Sequence, residues 1–263
     1  MEVIYEQGGV LDVVLTLADE RGARKSGRVY VDDFCATHQI DLVKIRSVND
    51  ADAVAAVKAR RLDWLFIIGW SQIARTAMLE APARGVIGMH PTLLPEGRGR
   101  AAIPWAILKG LPKTGVTMFK LDEGVDTGPV IAQETIPLAS DETATTLYDK
   151  VGLAHRSLMR DAWGPLVADR VVLTPQDSSR ATEWPGRTPD DGVILPAMTV
   201  AHAERLVRAT THPYPGAFWK GDGQVLRIWR GEIGDAGTTP APGARRIHLA
   251  DGVLDAREYD VEG

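Results

Sequence analysis

GMHPTLLPEGRGRAAIPWAILKGLPKTGVTMFKLDEGVDTGPVI, residues 88–131, is too unusual in composition to be a plain connection between strands. A histidine, His90, follows directly on an apolar run, and Pro91 and Pro95 bracket residues 92–94. A Gly/Arg cluster comes next, and a second loop rich in Gly and Asp spans residues 122–128. In an open α/β sheet, ligands bind outside the carboxyl ends of the strands. Residues 85–89 and 114–121 read as strands, so His90 and Asp126 are each expected in a loop just past a strand end. Both could then project into one crevice. An imidazole titrates near neutrality and suits proton transfer, and a carboxylate beside it would orient the ring or a water. The bland alternatives are a structural histidine after a strand and ordinary turn chemistry for an Asp among glycines.

Working outward, further short apolar or β-branched runs read as strands at residues 11–17, 41–45, 63–69 and 130–136. Helical spacing over residues 50–60, 72–79 and 103–109 places helices among them, and 141–166 reads as one long helix ending near Gly164 and Pro165. The alternation predicts an α/β fold: a Rossmann-like, mostly parallel sheet over residues 1–175. Residues 176–196, with several Pro and Ser, form an expected connector. Beyond it, a helix over 199–210 and strands at 224–231, 245–249 and 253–259 predict a small, mostly-β, OB-like domain over 197–263.

The chain has 263 residues, 44% hydrophobic and 25% charged, enough to bury a sizeable core. Thirty Lys plus Arg against 35 Asp plus Glu give a net charge of −5, so no overall positive field draws it to nucleic acid. Over residues 200–263 there are eight Lys plus Arg and nine Asp plus Glu. No apolar run approaches the roughly 20 residues that span a bilayer, and the start does not read as a signal peptide. The single cysteine, Cys35, fits a cytoplasmic protein. His38, His155, His202, His212 and His248 show no metal-ligand spacing, so no metal is expected. Serine-nucleophile, Walker and Cys-x-x-Cys patterns do not occur.

The two motifs, HPTLLPEGRGRAAIPWAILKG and GVTMFKLDEGVDTGPVI, resemble the formyltransferases that use 10-formyltetrahydrofolate. DWLFIIGWSQI ahead of them, and RTPDDGVI with ERLVRATTHPYPGAF after them, extend the resemblance over nearly the whole chain. The resemblance implies a formyl transfer from 10-formyltetrahydrofolate, a co-substrate, to a primary amine, with His90 and Asp126 on two of three catalytic positions. The third, an Asn two residues before the His that helps stabilise the oxyanion, is Gly88 here. Losing one such donor typically costs ~10²–10³ in rate; a protonated His90, a water or a backbone N–H freed by the glycine is the expected substitute. By matching position, folate contacts fall on Gln72, Ile73 and Ala74, on Thr92, Leu93, Leu94 and Pro95, on Asp122, Glu123, Gly124, Val125 and Asp126, and on Arg100. Arg98 and Arg100, taken alone, equally suit a solvated basic turn, and Trp105 suits a core position.

The family normally opens with a strand, a turn and a helix before the counterpart of residues 6–17, and only MEVIY precedes them here. Its first strand, usually near the sheet centre, is therefore expected to be missing. The GRGRAAIPWAILKG run is closest to the branch that formylates nucleotide-linked amino sugars, and tRNA is the less expected partner. Methionyl-tRNA formyltransferase, a formyltetrahydrofolate hydrolase and a folate-binding pseudoenzyme are the alternatives. The oligomeric state is open, with a homodimer compatible.

Overall fold

The computed structural model describes residues 1–22, 27–221 and 223–262. In chain order the strands are β1 (Val13–Leu17), β2 (Asp41–Ile45), β3 (Trp64–Ile68), β4 (Gly85–His90), β5 (Arg98–Gly99), β6 (Lys113–Lys120), β7 (Val130–Pro137), β8 (Glu183–Trp184), β9 (Val193–Ile194), β10 (Ala217–Gly221), β11 (Gln224–Gly234), β12 (Arg245–His248) and β13 (Val253–Glu262). The helices are α1 (Glu2–Glu6), α2 (Asp19–Gly22), α3 (Asp32–His38), α4 (Ala51–Ala59), α5 (Thr76–Leu79), α6 (Ala102–Leu108), α7 (Ala144–Val167) and α8 (Val200–Thr210).

Two compact units interleave along the chain. The first comprises Met1–Gly99, Gly115–Ile136 and Val151–Glu183; the second comprises Arg100–Thr114, Pro137–Lys150 and Trp184–Gly263. None of the helices among the described residues is long and apolar enough to cross a membrane.

The first unit carries the expected α/β layers, but its sheet is in two pieces. β1 pairs with β2 in parallel, and a separate sheet runs β3-β4-β6-β7, with β3 and β4 parallel. The facing edges of β1 and β3 do not pair. Between them lies a cavity of about 820 Å³, lined by every residue of both strands and by Met1 and Ile4 from the start of the chain.

Central β4 is buried from Gly85 to His90, as expected for a strand covered on both faces. β6 runs antiparallel to it, pairing Thr117 with His90 and Lys120 with Ile87. Only the short helix α5 forms in the predicted 72–79 segment. Side chains from the β2–α4 connection hold the preceding loop open instead: Asn49 Oδ1 accepts from Arg75 N–H at 2.8 Å and Asn49 Nδ2 donates to Ile73 O at 2.9 Å.

In the second unit a five-stranded sheet runs β12-β13-β11-β10-β9. It packs against amphipathic α8, with Leu206, Val207, Ile228, Ile247 and Leu254 almost fully buried. Thr199 caps α8 by accepting from His202 N–H. The predicted connector is ordered around β8: Thr182 O, just before it, accepts the Arg98 N–H, and Trp184 O, within it, accepts the Arg100 N–H.

Candidate active site

The site is assembled where β4 ends. His90 is 8% exposed, and its Nε2 lies 2.7 Å from the Gly97 carbonyl oxygen. A carbonyl only accepts, so Nε2 carries the proton in that bond and Nδ1 is the nitrogen left to face the site. Nδ1 stands 3.6 Å from Asp126 Oδ2. That is just beyond hydrogen-bond reach, a spacing that commonly tightens when substrate binds.

Asp126 reaches this position against the strand direction. Because β6 is antiparallel, its end at Lys120 lies three pairs from His90, about 10 Å along the sheet. Residues 121–129 fold back to cover that distance. Lys120 N–H donates to Pro129 O at 3.0 Å, and Gly128 passes so close to the Lys120 carbonyl that a Cβ would sit 1.8 Å from its oxygen. Only glycine fits there. Asp126 itself has φ +54°, the left-handed region that Asp and Asn tolerate best among side-chain-bearing residues. Its Oδ2 accepts the Gly99 N–H at 2.8 Å, and Oδ1 has no hydrogen-bond partner among the described residues.

A second layer fixes this loop. Gln176 Nε2 donates to the carbonyls of Asp126 and Gly128 at 2.8 and 2.7 Å, while Gln176 Oε1 accepts from the Arg98 guanidinium at 2.8 and 3.2 Å. Arg98 is 7% exposed, so the solvated turn suggested by sequence does not describe it. Gln176 lies in the predicted connector, where nothing local marked it. A similar knot holds residues 92–95: Thr117 Oγ1 donates to Thr92 O and accepts from Leu94 N–H, and Gln133 Nε2 donates to both Leu94 O and Thr117 Oγ1. The Leu94–Pro95 peptide is cis, and Leu93 packs over Gly115.

The remaining predicted contacts divide. Gln72 spends its side chain on structure, accepting from Val48 N–H and Trp70 Nε1 and donating to Arg46 O. Ala74 is buried, whereas Ile73 is 57% and Val125 44% exposed. Asp122 Oδ1 accepts from Gly124 N–H and Thr127 Oγ1, shaping its own turn. Thr76 Oγ1 donates to Glu123 Oε1 at 2.6 Å and so ties the two loops together. Arg100 belongs to the second unit; it is exposed, with its guanidinium against Gly186.

Gly88 sits mid-sheet, paired with Ile67 on one side and Phe119 on the other. A Cβ there would meet Leu121 Cδ2 at 2.6 Å and Phe119 Cε1 at 3.2 Å. The place of the missing amide is thus filled by Leu121 and Phe119 and is no open hole beside His90. The glycine's own backbone is committed to the strand, which removes it as a substitute donor.

A model of the formyl transferase family matches residues 5–162, and one of the formyl transferase C-terminal domain matches 187–255. The chain belongs to the formyltransferase family. Methionyl-tRNA formyltransferase of Agathobacter rectalis is 30% identical over 273 residues, covering 100% of this chain and 88% of the relative. Among solved structures, the N-formyltransferase of Helicobacter canadensis, in complex with folinic acid and dTDP-3-aminofucose, superimposes with a TM-score of 0.70 at 16% identity. That match covers 97% of this chain and 93% of the other. Methionyl-tRNA formyltransferase of Clostridium thermocellum gives 0.64 at 18%, over 96% and 99%.

As a formyltransferase, the protein uses a formyl-tetrahydrofolate donor, and its residues fit one. Ile73 and Val125 offer exposed apolar surface on two loops tied by the Thr76–Glu123 bond. The backbone N–H groups of Glu123 and Val125 have no partner among the described residues. Apolar faces with free main-chain donors suit a flat ring with acceptors on its edge. No group of three or more metal-binding side chains gathers among the described residues.

Proposed function

We propose that this formyltransferase moves the formyl group of 10-formyltetrahydrofolate onto the primary amine of a nucleotide-linked amino sugar, with His90 and Asp126 as its catalytic residues. The carrying observation is their mutual geometry: two proton-transfer groups 3.6 Å apart, each anchored by a main-chain partner on residues 97–99. The folate supplies an activated formyl carbon held near them. In the transfer the amine nitrogen bonds that carbon, the carbon–N10 bond breaks, the amine loses one proton and N10 gains one.

Asp126 keeps Oδ1 free to take the amine's proton while Gly99 holds Oδ2. His90 cannot turn, because Nε2–H is fixed on Gly97; protonated at Nδ1 as well, it donates toward the oxygen that gains negative charge. This assigns to His90 the oxyanion role the family's Asn usually shares. Gln72–Ala74, Thr92–Pro95 and residues 122–126, with Arg100, are the proposed folate contacts.

For the acceptor, support comes from the net charge of −1 over residues 200–263, where a tRNA enzyme needs a basic surface, and from the sugar N-formyltransferase among similar folds. The second reading, methionyl-tRNA as acceptor, is favoured by the names of the curated relatives. Formyl transfer from 10-formyltetrahydrofolate to a panel of nucleotide-linked amino sugars, set beside charged initiator tRNA, decides between them. Turnover of tRNA alone would overturn the sugar reading, and folate binding without any transfer would mark a pseudoenzyme.

A further inference from the structure

The second unit pairs its arginines with care: Arg208, Arg227, Arg230, Arg246 and Arg257 each contact a carboxylate. Arg100, Arg187, Arg205 and Arg245 of the same unit make no ion pair among the described residues, and two of them lie near a lysine of like standing. Lys109, just past the end of α6, and Arg205 on α8 are exposed and make neither an ion pair nor a side-chain hydrogen bond among the described residues. Arg205 brings its guanidinium over Gly110, the residue after Lys109. Among the described residues, the Arg187 side chain donates only to the Asp191 carbonyl.

Trp105 lies beside two of these cations. Arg187 lies 5.0 Å and Lys109 5.6 Å from its ring centre, and Lys109 is also 5.8 Å from the ring of Trp184. The indole is itself fixed, its Nε1 donating to Pro185 O at 2.8 Å. The nearby Asp191 carboxylate is occupied by the Thr188 N–H and hydroxyl. Burial also lowers the pKa of Arg187, as expected for a cation partly stripped of water.

Cations without a carboxylate bonded to them, two of them beside an indole, in a chain of net charge −5, call for a compact anion. We propose that Lys109 and Arg187 beside Trp105, with Arg205 over Gly110, form a face of the second unit that binds the phosphates of a nucleotide. This rests on the sugar-nucleotide reading above. An RNA backbone would want a long basic track, and the unit's ion-paired arginines do not supply one.

Calorimetric titration of the full chain with uridine and thymidine diphosphates, each against its own nucleoside, tests the face. The diphosphates should bind and the nucleosides should not. Lys109→Gln, Arg187→Gln and Arg205→Gln should each weaken diphosphate binding by roughly 10- to 100-fold. In turnover they should raise KM for the nucleotide-linked amine and leave both kcat and the KM for formyl-folate unchanged, with melting temperatures confirming folding. Diphosphate binding indifferent to the triple variant would overturn the proposal. So would a raised KM for formyl-folate alone, which would assign the cations to the folate's glutamate carboxylates, or a loss of tRNA binding with no nucleotide effect. Diphosphate binding lost in the variants of a protein that transfers no formyl group would uphold the face and sink the transfer reading instead. Equal turnover of phosphate-free amino sugars would do the reverse.

Discussion

His90 Nε2 and the Gly97 carbonyl, 2.7 Å apart, settle which imidazole nitrogen is available for chemistry. The strand that carries the histidine and the turn that carries the glycine are seven residues apart, so the ring is oriented by its own local chain. Asp126 arrives from a distant loop and is likewise pinned two residues further on, at Gly99. The proposed catalytic pair is therefore built on one short stretch of main chain, residues 97–99, and substitutions around it separate its parts.

His90→Ala and Asp126→Ala should each lower single-turnover formyl transfer by roughly two to four orders of magnitude while the fold persists. Asp126→Asn is the sharper test. Asn accepts the Gly99 N–H and tolerates φ +54°, so geometry survives and only the carboxylate is lost. A rate near wild type for Asp126→Asn would show that the charge of this residue takes no part in proton transfer.

Gln176→Leu removes the link between Arg98 and the Asp126 loop and leaves a buried guanidinium without its acceptor. A loss of about 1–3 kcal/mol in denaturant unfolding is expected, together with a fall in kcat. Gln176→Glu should restore part of the stability, because Oε1 still accepts from Arg98, but not the bonds to the two carbonyls. Equal stability of all three proteins would show that the linkage is idle.

Gly88→Asn should not rescue a faster reaction. Its Cβ meets Leu121 and Phe119, and overpacking of this kind costs about 1–3 kcal/mol. Combined with Leu121→Ala, which vacates the 2.6 Å contact, the stability loss should shrink. A hundredfold rate gain in the single variant would instead show that the site lacks a donor it can use.

Acid stability should depend on two buried carboxylates of the second unit. The Arg246 guanidinium, bonded at 2.8 Å to both oxygens of Asp255, holds that carboxyl below the usual range. Burial raises Glu142, but bonds from Lys150, Thr146 and the Ala139 N–H more than offset it, so its pKa is also lowered. A lowered folded-state pKa gives stability that is present above the unfolded value, ~4 for these groups, and is lost as pH falls through the folded value. Melting temperature should therefore drop below about pH 4, and Asp255→Asn should flatten that limb while lowering the plateau at neutral pH. An unchanged acid limb in this variant would exclude the Arg246–Asp255 pair as its source.

Much of this was legible in residues 88–131, because a strand buried on both faces reads as an apolar run and the turn residues after it are chemically distinctive. His90 and Asp126 do meet, yet not for the reason the sequence suggested: β6 is antiparallel, and the loop from Leu121 to Pro129 reverses to bring Asp126 back. Strand direction depends on partners far along the chain, and no local pattern encodes it. For the same reason Gln176 looked like connector, and Arg98 like a surface turn, until the long-range bond between them was seen. The failed start of the 72–79 helix has a similar cause, since Asn49 takes the main-chain groups that a helix would have used.

The divided sheet of the first unit joins this loop to stability. β1 and β2 share no ladder with β3, so the pair can open without breaking a main-chain bond of the central sheet. Its connection to α4 nonetheless holds the 72–75 loop, through Val48 to Gln72 and through Asn49 to Ile73 and Arg75. Opening of the outlying pair would release a loop proposed to contact folate, and thermodynamic reciprocity demands the converse. A folate analogue bound there should slow amide exchange in β1 and β2, strands it does not touch, by the same factor by which their opening weakens its affinity.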